Sequence, residues 1–317
     1  MNLGFPLFPD QASTMAPRVD AVYFVLIGVS VFFATLISLA IIFFAFRYRR
    51  RSDLERPPEI LGDLRLEILW TVIPLGFTLI MFAWGAILYF ETYSPPPNAL
   101  EIHVVAKQWM WKAQHPEGRS EIDELHVPLG RPIKLLLTSQ DVIHDFFVPA
   151  FRIKTDVVPG RYMTVWFEAS KAGAFRLFCA EYCGTLHSGM LGRVVVMAPR
   201  EYQNWLSSGP VGNTVAAAGA RLFQRLSCVA CHGDKNTERG PSLAGLFGKH
   251  VRLHDGKVIV ADENYIRESI VNPQAKIVAG YQSIMPTFKG LISEEGILQI
   301  IAYLKSIEPQ EGMQVKQ

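Results

Sequence analysis

Residues 178–190 read FCAEYCGTLHSGM and contain four side chains that bind soft metals. Cys179 and Cys183 stand four positions apart, His187 follows four positions later, and Met190 three positions after that. Two thiolates and an imidazole alone would suit a structural zinc site. Zinc rarely takes a thioether, so Met190 favours copper in an electron-transfer site with a weak axial sulfur.

The remaining two of the four cysteines, Cys228 and Cys231, lie in the sequence CVACH. C-x-x-C-H is the attachment signature of haem c, in which both thiols bond to the haem and the histidine, here His232, ligates the iron. The alternatives are a chance C-x-x-C or a thioredoxin-like redox pair, which would not need His232. Both metal motifs require metal and haem delivery in an oxidant-tolerant compartment, so we expect them outside the cytoplasm.

Two segments near the start of the chain are long and apolar enough to cross a membrane. Residues 21–46 and 68–90 contain no charged side chain, and each would span about 30 Å of hydrocarbon as a helix. The first segment is too long for the apolar part of a signal peptide, and no small-residue cleavage site follows it. Pro74 would kink the second helix or mark a packing point, which membrane helices tolerate.

The loop between these segments is rich in arginine, and short loops of this kind stay in the cytoplasm. We therefore expect both termini and the metal motifs on the periplasmic side of a bacterial inner membrane. Nucleic-acid or lipid binding is the alternative role for these arginines. A net charge of only +2 and the flanking apolar spans favour a role in setting the membrane topology. The arginines are Arg47, Arg49, Arg50, Arg51, Arg56 and Arg65.

After the stiff segment YSPPPN, short alternating runs separated by turn signals predict an all-β domain. A cupredoxin-like fold over residues 95–206 would place the copper loop between its last strands. The strand-like runs are residues 101–114, 133–139, 161–169, 174–180 and 193–198. One ligand histidine must come from an earlier strand. His144 is our first choice, and the alternatives are a surface His144 with His103, His115 or His126 as the ligand.

The composition changes again after residue 206. Residues 207–216 are predicted to be a flexible linker, which keeps the two domains close enough that no electrostatic steering is needed to bring them together. Residues 217–310 are predicted to form a helical cytochrome c domain, followed by a tail at 311–317. Its first helix would be residues 217–226 and its closing helix residues 292–306.

The haem iron needs a sixth ligand downstream of CVACH. Met285 is the first choice, because methionine with histidine raises the haem potential, as an electron acceptor requires. His250 and His254 are the alternatives, and either would give an iron with two histidine ligands.

Five motifs occur together in one order: RLEILWTVIP, KQWMW, DVIHDFFVPAFRIKTDVVPGR, CAEYCGTLHSGM and CVACH. In order and spacing the chain resembles subunit II of the haem–copper cytochrome c oxidases, of the caa type with a fused C-terminal cytochrome c. The resemblance covers nearly the whole chain. It implies a two-helix transmembrane hairpin in residues 1–94, an all-β cupredoxin-like domain and an all-α class I cytochrome c domain.

The resemblance implies a binuclear copper centre, CuA. Two thiolates that share two coppers spread one electron over both ions, so transfer needs little reorganisation. Every ligand position of the family is occupied by a suitable residue here, which disfavours the quinol-oxidase relatives because they lack this copper site. The two membrane helices disfavour a soluble CuA protein that resembles nitrous-oxide reductase. The implied ligands are bridging Cys179 and Cys183, His144 and His187 on one ion each, Met190 as a weak axial ligand of one ion, and the Glu181 carbonyl on the other.

The resemblance also implies roles for single residues. Trp109 would be where electrons enter CuA, although Trp109 and Trp111 could both be core packing, and Met110 stands where many relatives have an aromatic residue. The Glu181 side chain would hold a magnesium or manganese ion at the contact with subunit I. Asp156 lies near that region in relatives, and the alternative for it is a turn-initiating aspartate.

Glu67 stands at the cytoplasmic start of the second span, and ionisable residues at membrane depth are functional candidates. The resemblance places it at the mouth of a proton path into subunit I; the alternative is an interfacial acid that ends the helix.

The implied function is that of the electron-input subunit of a respiratory oxidase. Electrons would pass from its haem c to CuA and on to haem a of subunit I, which reduces oxygen to water and translocates protons. Expected partners are subunit I, the other oxidase subunits, an upstream cytochrome or quinol-oxidising complex, and the membrane, but no nucleic acid. The alternatives are a membrane-anchored electron carrier outside an oxidase and a copper-delivery or assembly factor, which needs neither CVACH nor Trp109.

Overall fold

The computed structural model describes residues 8–52, 62–208, 214–233 and 239–307. The chain separates into two compact units, one of residues 14–94 and one of residues 1–13 with 95–317. Three features from the sequence lie outside the described residues: Arg56, the central linker residues 209–213 and the tail 311–317.

The first unit is a pair of antiparallel helices, α1 (Ala16–Arg47) and α2 (Leu64–Tyr93). Phe33 packs edge-on against Phe77 midway along them, with ring centroids 6.2 Å apart. The Asp63 carboxylate caps α2 by accepting hydrogen bonds from the first backbone N–H groups. Both helices are long and apolar enough to cross a membrane, and their apolar side chains are largely exposed.

The second unit contains a sandwich of two five-stranded sheets. The first sheet consists of β1 (Leu100–Lys107), β2 (Met110–Gln114), β3 (Ser120–Ile122), β5 (Pro132–Ser139) and β8 (Met163–Glu168). The second consists of β4 (Glu124–Pro128), β6 (His144–Val148), β7 (Ile153–Val157), β9 (Gly173–Cys179) and β10 (Leu191–Met197). The strand orders are β3-β2-β1-β5-β8 and β4-β10-β9-β6-β7.

Alternating side chains build the core between the two sheets. On β1, Ile102 and Val104 are buried inward, and the neighbouring parallel strand β5 adds Leu135 and Leu137. The facing sheet contributes Phe146, Leu177 and Val194 to the same cluster. Helix α3 (Pro199–Ser207) closes the domain and buries Tyr202 against it.

The C-terminal part is a small helical domain made of α4 (Val215–Arg225), α5 (Glu263–Val271) and α6 (Glu294–Ser306). Helices α4 and α6 cross closely at Gly219, where a Cβ would overlap the backbone carbonyl of Gln299. A short hairpin, β11 (His250–Arg252) with β12 (Val258–Val260), adds β structure to a domain that the sequence predicted as all-α.

The helical domain packs on the outer face of the first sheet. Val105 and Leu136 point outward from β1 and β5, and with Tyr162 they join one buried cluster with Ile297 and Ile301 of α6. Ion pairs also cross this contact, among them Lys112 with Glu295. The fold class predicted from the sequence is confirmed: two apolar helices, a β-sandwich and a cytochrome c-like domain.

Several local expectations differ from the structure. The run 101–114 is two strands, and Trp109 lies in the turn between β1 and β2 rather than on an alternating strand. His144 begins β6, a strand that the sequence reading did not separate from a loop. Residues 8–13 belong to the sandwich unit, since Ala12 N–H donates to the Ala150 carbonyl. The proposed linker start, Ser207, is the last residue of α3.

Candidate functional site

The two thiols of the β9–β10 loop lie 3.7 Å apart, from Cys179 Sγ to Cys183 Sγ. Each thiol has its own partners. Cys179 Sγ is 3.9 Å from His144 Nδ1 and 3.2 Å from the Glu181 carbonyl oxygen. Cys183 Sγ is 3.5 Å from His187 Nδ1 and 3.8 Å from Met190 Sδ. The structure therefore brings together one atom from each of the six residues named from the sequence. These atoms are Cys179 Sγ, Cys183 Sγ, His144 Nδ1, His187 Nδ1, Met190 Sδ and Glu181 O.

Strand pairing explains how distant residues meet here. Phe146 of β6 pairs with Cys179 of β9, which brings His144 alongside the loop that follows Cys179. Leu191 of β10 pairs with Phe178, so Met190 lies opposite Cys179. His144, Cys183 and Met190 are buried, which excludes water from one side of the donor set. Two thiols, two imidazole nitrogens, a thioether and a carbonyl form a donor set that suits copper.

The two thiols do not ionise alike. Burial raises the pKa of Cys179, but the contact with His144 and the surrounding backbone outweigh it, and the net shift is downward. Burial and the neighbouring Cys179 raise the pKa of Cys183. Cys179 is therefore the first thiolate of the pair, and a bound cation must displace the second proton.

The alternative histidines lie elsewhere. His103 contacts Glu101 on the outer face of β1. His115 and His126 both bind Glu121, and neither approaches the two thiols. Of the four histidines that the sequence left open, His144 is the one that lies beside the two thiols.

The second candidate site is a cavity of about 570 Å³ in the helical domain, which is lined by Cys228, Cys231 and His232 among other residues. Its walls are mainly apolar, as a macrocycle requires. Of the described lining residues none is acidic, whereas four are cationic and suit the two propionates of a haem: Arg239, Lys249, Arg252 and Lys276. His232 Nδ1 lies 2.9 Å from the Pro241 carbonyl, so it donates there and leaves Nε2 free as an iron ligand.

The residues considered for the sixth position separate in space. Met285 and His250 both line the cavity, whereas His254 is not among its lining residues. Met285 is half-buried and His250 is exposed, which favours the thioether as the enclosed ligand.

Comparisons with known proteins agree with these two sites. Residues 118–198 match the family "Cytochrome C oxidase subunit II, periplasmic domain", and residues 216–308 match the family "Cytochrome c". Cytochrome c oxidase subunit 2 of Alkalihalophilus pseudofirmus is 33% identical in an alignment 302 residues long, which covers 89% of this chain and 86% of that protein. The chain belongs to the cytochrome c oxidase subunit 2 family. It is thus part of a haem–copper terminal oxidase, an oxidoreductase.

Other relatives are similar over smaller parts of this subunit. Alternative cytochrome c oxidase subunit 2 of Bradyrhizobium diazoefficiens is 30% identical over 208 residues, which cover 56% of this chain and 74% of that protein. The solved periplasmic domain of subunit II of cytochrome oxidase of Bradyrhizobium japonicum is 31% identical, covers 36% of this chain and 96% of that one, and gives a TM-score of 0.35. The two family matches imply CuA in the sandwich and haem c in the helical domain.

Sequence reasoning missed the residues that hold the candidate copper ligands in place. Asp141 Oδ1 lies 2.8 Å from His144 Nε2, and its Oδ2 accepts a hydrogen bond of 2.7 Å from the Gln108 N–H. Because Nε2–H donates to the carboxylate, Nδ1 keeps its lone pair for the metal. The signal was present, since Asp141 stands three residues before His144 in the motif DVIH.

Trp109 is fixed directly to the copper loop of the subunit. Its indole N–H lies 3.2 Å from the Cys183 carbonyl, which also accepts from the Gln108 side chain at 2.9 Å. Gly184 has a φ of +115°, and a Cβ there would come within 3.3 Å of the Trp109 ring. A larger residue at 184 would push the ring away from this carbonyl.

The acidic residues around Glu181 lie at the surface or next to β6. The Glu181 side chain is exposed, and Lys154 pairs with the buried Asp145 at 3.2 Å. Burial, and then Asp156 on the neighbouring strand, raise the pKa of Asp145. Asp156 lies within β7, so it does not initiate a turn.

Glu67 lies in the first turn of α2, and its side chain is exposed. Its carboxylate folds back over Gly62, where it leaves no room for a Cβ. The acid therefore begins this helix rather than ending one.

Proposed function

We propose that this subunit accepts electrons at haem c, passes them to CuA and delivers them to haem a of subunit I, where oxygen is reduced to water and protons are translocated. The observation that supports this most strongly is the donor set around the two thiols, in which each sulfur has one imidazole and one weaker donor. Bound copper and haem supply the electron-carrying chemistry, and the residues of the chain hold them.

The residues proposed as copper ligands are those gathered around the two thiols. Cys179 and Cys183 would supply the thiolates that the two ions share. His144 and His187 would each bind one ion, and Met190 and the Glu181 carbonyl would be weak ligands, each of a different ion. Asp141 positions His144 from behind.

The haem ligands are proposed on the cavity lining. Cys228 and Cys231 would hold the haem covalently, and His232, oriented by the Pro241 carbonyl, would ligate the iron. Met285 would be the other iron ligand from this chain.

Strand β1 offers a route between the two centres. Ile266 lines the haem cavity and belongs to the cluster that buries Val105 of β1. Four residues further on, the chain reaches Trp109, whose N–H meets the Cys183 carbonyl. At roughly 3.3 Å per residue the strand part of this route, from Val105 to Lys107, is about 7 Å long, and the turn carries the chain on to Trp109. This geometry supports Trp109 as the residue through which electrons reach CuA.

Two further roles rest on the family resemblance with support from position. The exposed Glu181 carboxylate lies near Lys154 at the mouth of the copper loop, where it can hold a magnesium or manganese ion shared with subunit I. Glu67, exposed at the start of α2, is proposed as the mouth of the proton path.

We place the helices in the inner membrane, with the arginine-rich loop in the cytoplasm and both termini and metal domains in the periplasm. The proposed division is a hairpin in residues 14–94, a CuA domain in 8–13 with 95–208, a linker in 209–213 and a cytochrome domain that begins at 214. An upstream cytochrome or a quinol-oxidising complex would supply the electrons.

The test is Cys179→Ser in the whole oxidase. Loss of one bridging thiolate should abolish the two-copper mixed-valence EPR signal and leave the haem c spectrum unchanged. Thr185→Ala, an exposed change in the same loop, is the matched control and should keep both signals. If Cys179→Ser still held two coppers with that signal, the ligand assignment would be wrong. Purification without a haem-a-binding subunit would instead favour a free electron carrier or an assembly factor.

A further inference from the structure

A second group of metal-binding side chains lies in the copper domain, where β2, β3 and β4 meet α3. His115 Nε2 is 2.7 Å from Glu121 Oε1, and His126 Nδ1 bonds the other oxygen of the same carboxylate. The ligand atoms of Glu121, Glu124 and His126 all lie within 4.8 Å of one another. None of these residues takes part in the copper or haem site.

We propose that this cluster binds a divalent transition metal, with zinc as the best fit. Glu121, Glu124 and His126 are the ligands whose atoms already lie together, and His115 Nε2, which is bonded to Glu121, is the fourth ligand and must move toward the ion. Two imidazoles with carboxylate oxygens are a donor set that zinc prefers. The charge of the ion would balance a carboxylate whose side chain is only 7% exposed.

Groups outside the ligand set already hold both imidazoles. The Tyr202 hydroxyl lies 3.0 Å from His115 Nδ1, so Nε2 points at Glu121. The Trp205 ring stacks on His126 with centroids 4.5 Å apart and planes at 19°. Metal-binding histidines almost always have their second ring nitrogen fixed by a hydrogen bond, as His115 has here, and the stacked Trp205 restricts the His126 ring in addition. A cluster of freely moving surface groups would lack these supports.

The protons balance without an external acid or base. Without metal, His115 Nε2–H and His126 Nδ1–H donate to Glu121. A metal needs both lone pairs, so each neutral ring carries its proton on the other nitrogen instead. The new His115 Nδ1–H then donates to the Tyr202 oxygen, since a hydroxyl both donates and accepts. Neutral rings therefore release no proton on binding.

Two cations near the cluster oppose an incoming metal. Arg193 pairs with Glu124, and the Arg119 guanidinium lies 3.8 Å over the Trp205 ring. Because Arg193 must release Glu124 before that carboxylate can bind a metal, Glu124 is the weakest ligand. Removing Arg193 should tighten binding, whereas a plain loss of a surface charge pair would have no such effect.

The experiment is a zinc titration of the full chain in detergent, loaded with copper and haem so that its thiols are occupied. Bound metal is counted by mass spectrometry after dialysis and followed by calorimetry. Cobalt is the optical probe. We expect one zinc per chain and cobalt bands without a thiolate charge-transfer band. His126→Gln should abolish this binding, and Arg193→Gln should tighten it.

Tyr202→Phe keeps the packing of α3 and removes only the hydroxyl that orients His115. It should weaken zinc binding about 10–100-fold. His254→Gln, an exposed histidine of the cytochrome domain, is the matched control and should change nothing. Zinc binding that survives both Tyr202→Phe and His126→Gln at full affinity, or a wild-type chain that takes up no zinc, would overturn the proposal and leave the cluster as a hydrogen-bonded support for α3. If His126→Gln fails to fold, the Tyr202→Phe and Arg193→Gln affinities decide.

Discussion

Lys305 Nζ, in the last turn of α6, lies 2.7 Å from Glu101 Oε1 at the start of β1. An ion pair thus joins the cytochrome domain to the copper domain. It is part of a network, because Lys305 also binds Glu263 at 2.9 Å and Lys134 binds Glu101 at 2.9 Å. The four side chains are between 14% and 26% exposed, so solvent screens them less than it screens surface pairs.

Removing the ammonium of Lys305 should loosen the contact between the domains. Lys305→Met keeps most of the aliphatic stem but leaves Glu101 with one fewer partner, at a cost of about 1–2 kcal/mol. The readout is the zero-length carbodiimide crosslink between Lys112 and Glu295, whose Nζ and Oε2 are 2.6 Å apart across the interface. We expect the equilibrium constant for docking to fall roughly tenfold, which corresponds to about 1.4 kcal/mol, and the crosslink yield to fall as the docked fraction falls.

The matched control is Lys257→Met, which removes an exposed pair with Asp255 inside the cytochrome domain. Its crosslink yield should equal that of the unchanged chain. An equal fall in both variants would mean that general charge, and not this network, holds the domains together.

Salt should have little effect on electron transfer from haem c to CuA within the chain. The contact is already formed through buried apolar residues and partly buried ion pairs, so no charge-steered encounter is needed. Flash-induced reduction of the haem at several ionic strengths measures this. We expect a first-order rate that changes less than about twofold up to roughly 0.2 M salt, where the Debye length is below about 8 Å. A tenfold fall would show that the domains separate and meet again in each turnover.

The pH dependence of the same rate follows from two groups of the network. Burial raises the pKa of Glu101, but His103, Lys305 and Lys134 outweigh it and hold the pKa far below the ordinary 4.5. Because the pKa of Glu101 is lowered, its ionised carboxylate stabilises the contact between the domains above pH 4.5, and this stabilisation is lost as the pH falls further. Burial lowers the pKa of Lys134, but Glu101 and Glu263 outweigh it, so the pKa lies above 10.5.

Because the pKa of Lys134 is raised, its protonated ammonium stabilises the contact between the domains below pH 10.5, and this stabilisation is lost as the pH rises through the raised pKa. Docking should therefore be constant between about pH 5 and 10. The Lys112–Glu295 crosslink cannot serve as the readout over this pH range, so the rate of electron transfer from haem c to CuA is measured instead. A step near neutral pH that disappears in His103→Gln would assign the dependence to His103 in place of the carboxylate network.

The copper loop could be predicted from the sequence because its ligands are close along the chain. Cys179, Cys183, His187 and Met190 all fall within one loop, and their side-chain chemistry alone selects the metal. His144 was harder, because its position depends on the pairing of β6 with β9. Strand register is a tertiary property that a single sequence leaves open among several histidines.

The docking of the cytochrome domain was not predicted, although one signal for it was present. Leu135, Leu136 and Leu137 form a continuous apolar run in β5, and all three are buried. Such a run is typical of a strand covered on both faces, whereas a half-exposed strand alternates. Leu136 is the residue that the cytochrome domain covers. The near-balanced charge of the chain as a whole gave no hint of the ion pairs concentrated at this contact.

Asp141 should control copper binding without touching the metal. Asp141→Ala removes the acceptor of the His144 Nε2–H bond and frees the ring to turn. We expect copper affinity to fall about 10–100-fold and the hyperfine pattern of the remaining CuA signal to change. Asp141→Asn keeps an acceptor oxygen and should recover most of the affinity. If both variants bound copper as the unchanged chain does, the loop would hold His144 without this carboxylate.

Met285 and His250 both line the haem cavity, so either could be the sixth haem ligand. Two variants distinguish them. If Met285 binds the iron, Met285→Leu leaves the ferrous haem five-coordinate, so carbon monoxide should bind where the unchanged chain resists it. The midpoint potential should fall on the order of 0.1 V, within the roughly 0.8 V that axial ligands span. His250→Gln should leave both properties unchanged. Spectroelectrochemical titration and carbon monoxide difference spectra measure them, and carbon monoxide binding in His250→Gln alone would assign the sixth position to the histidine.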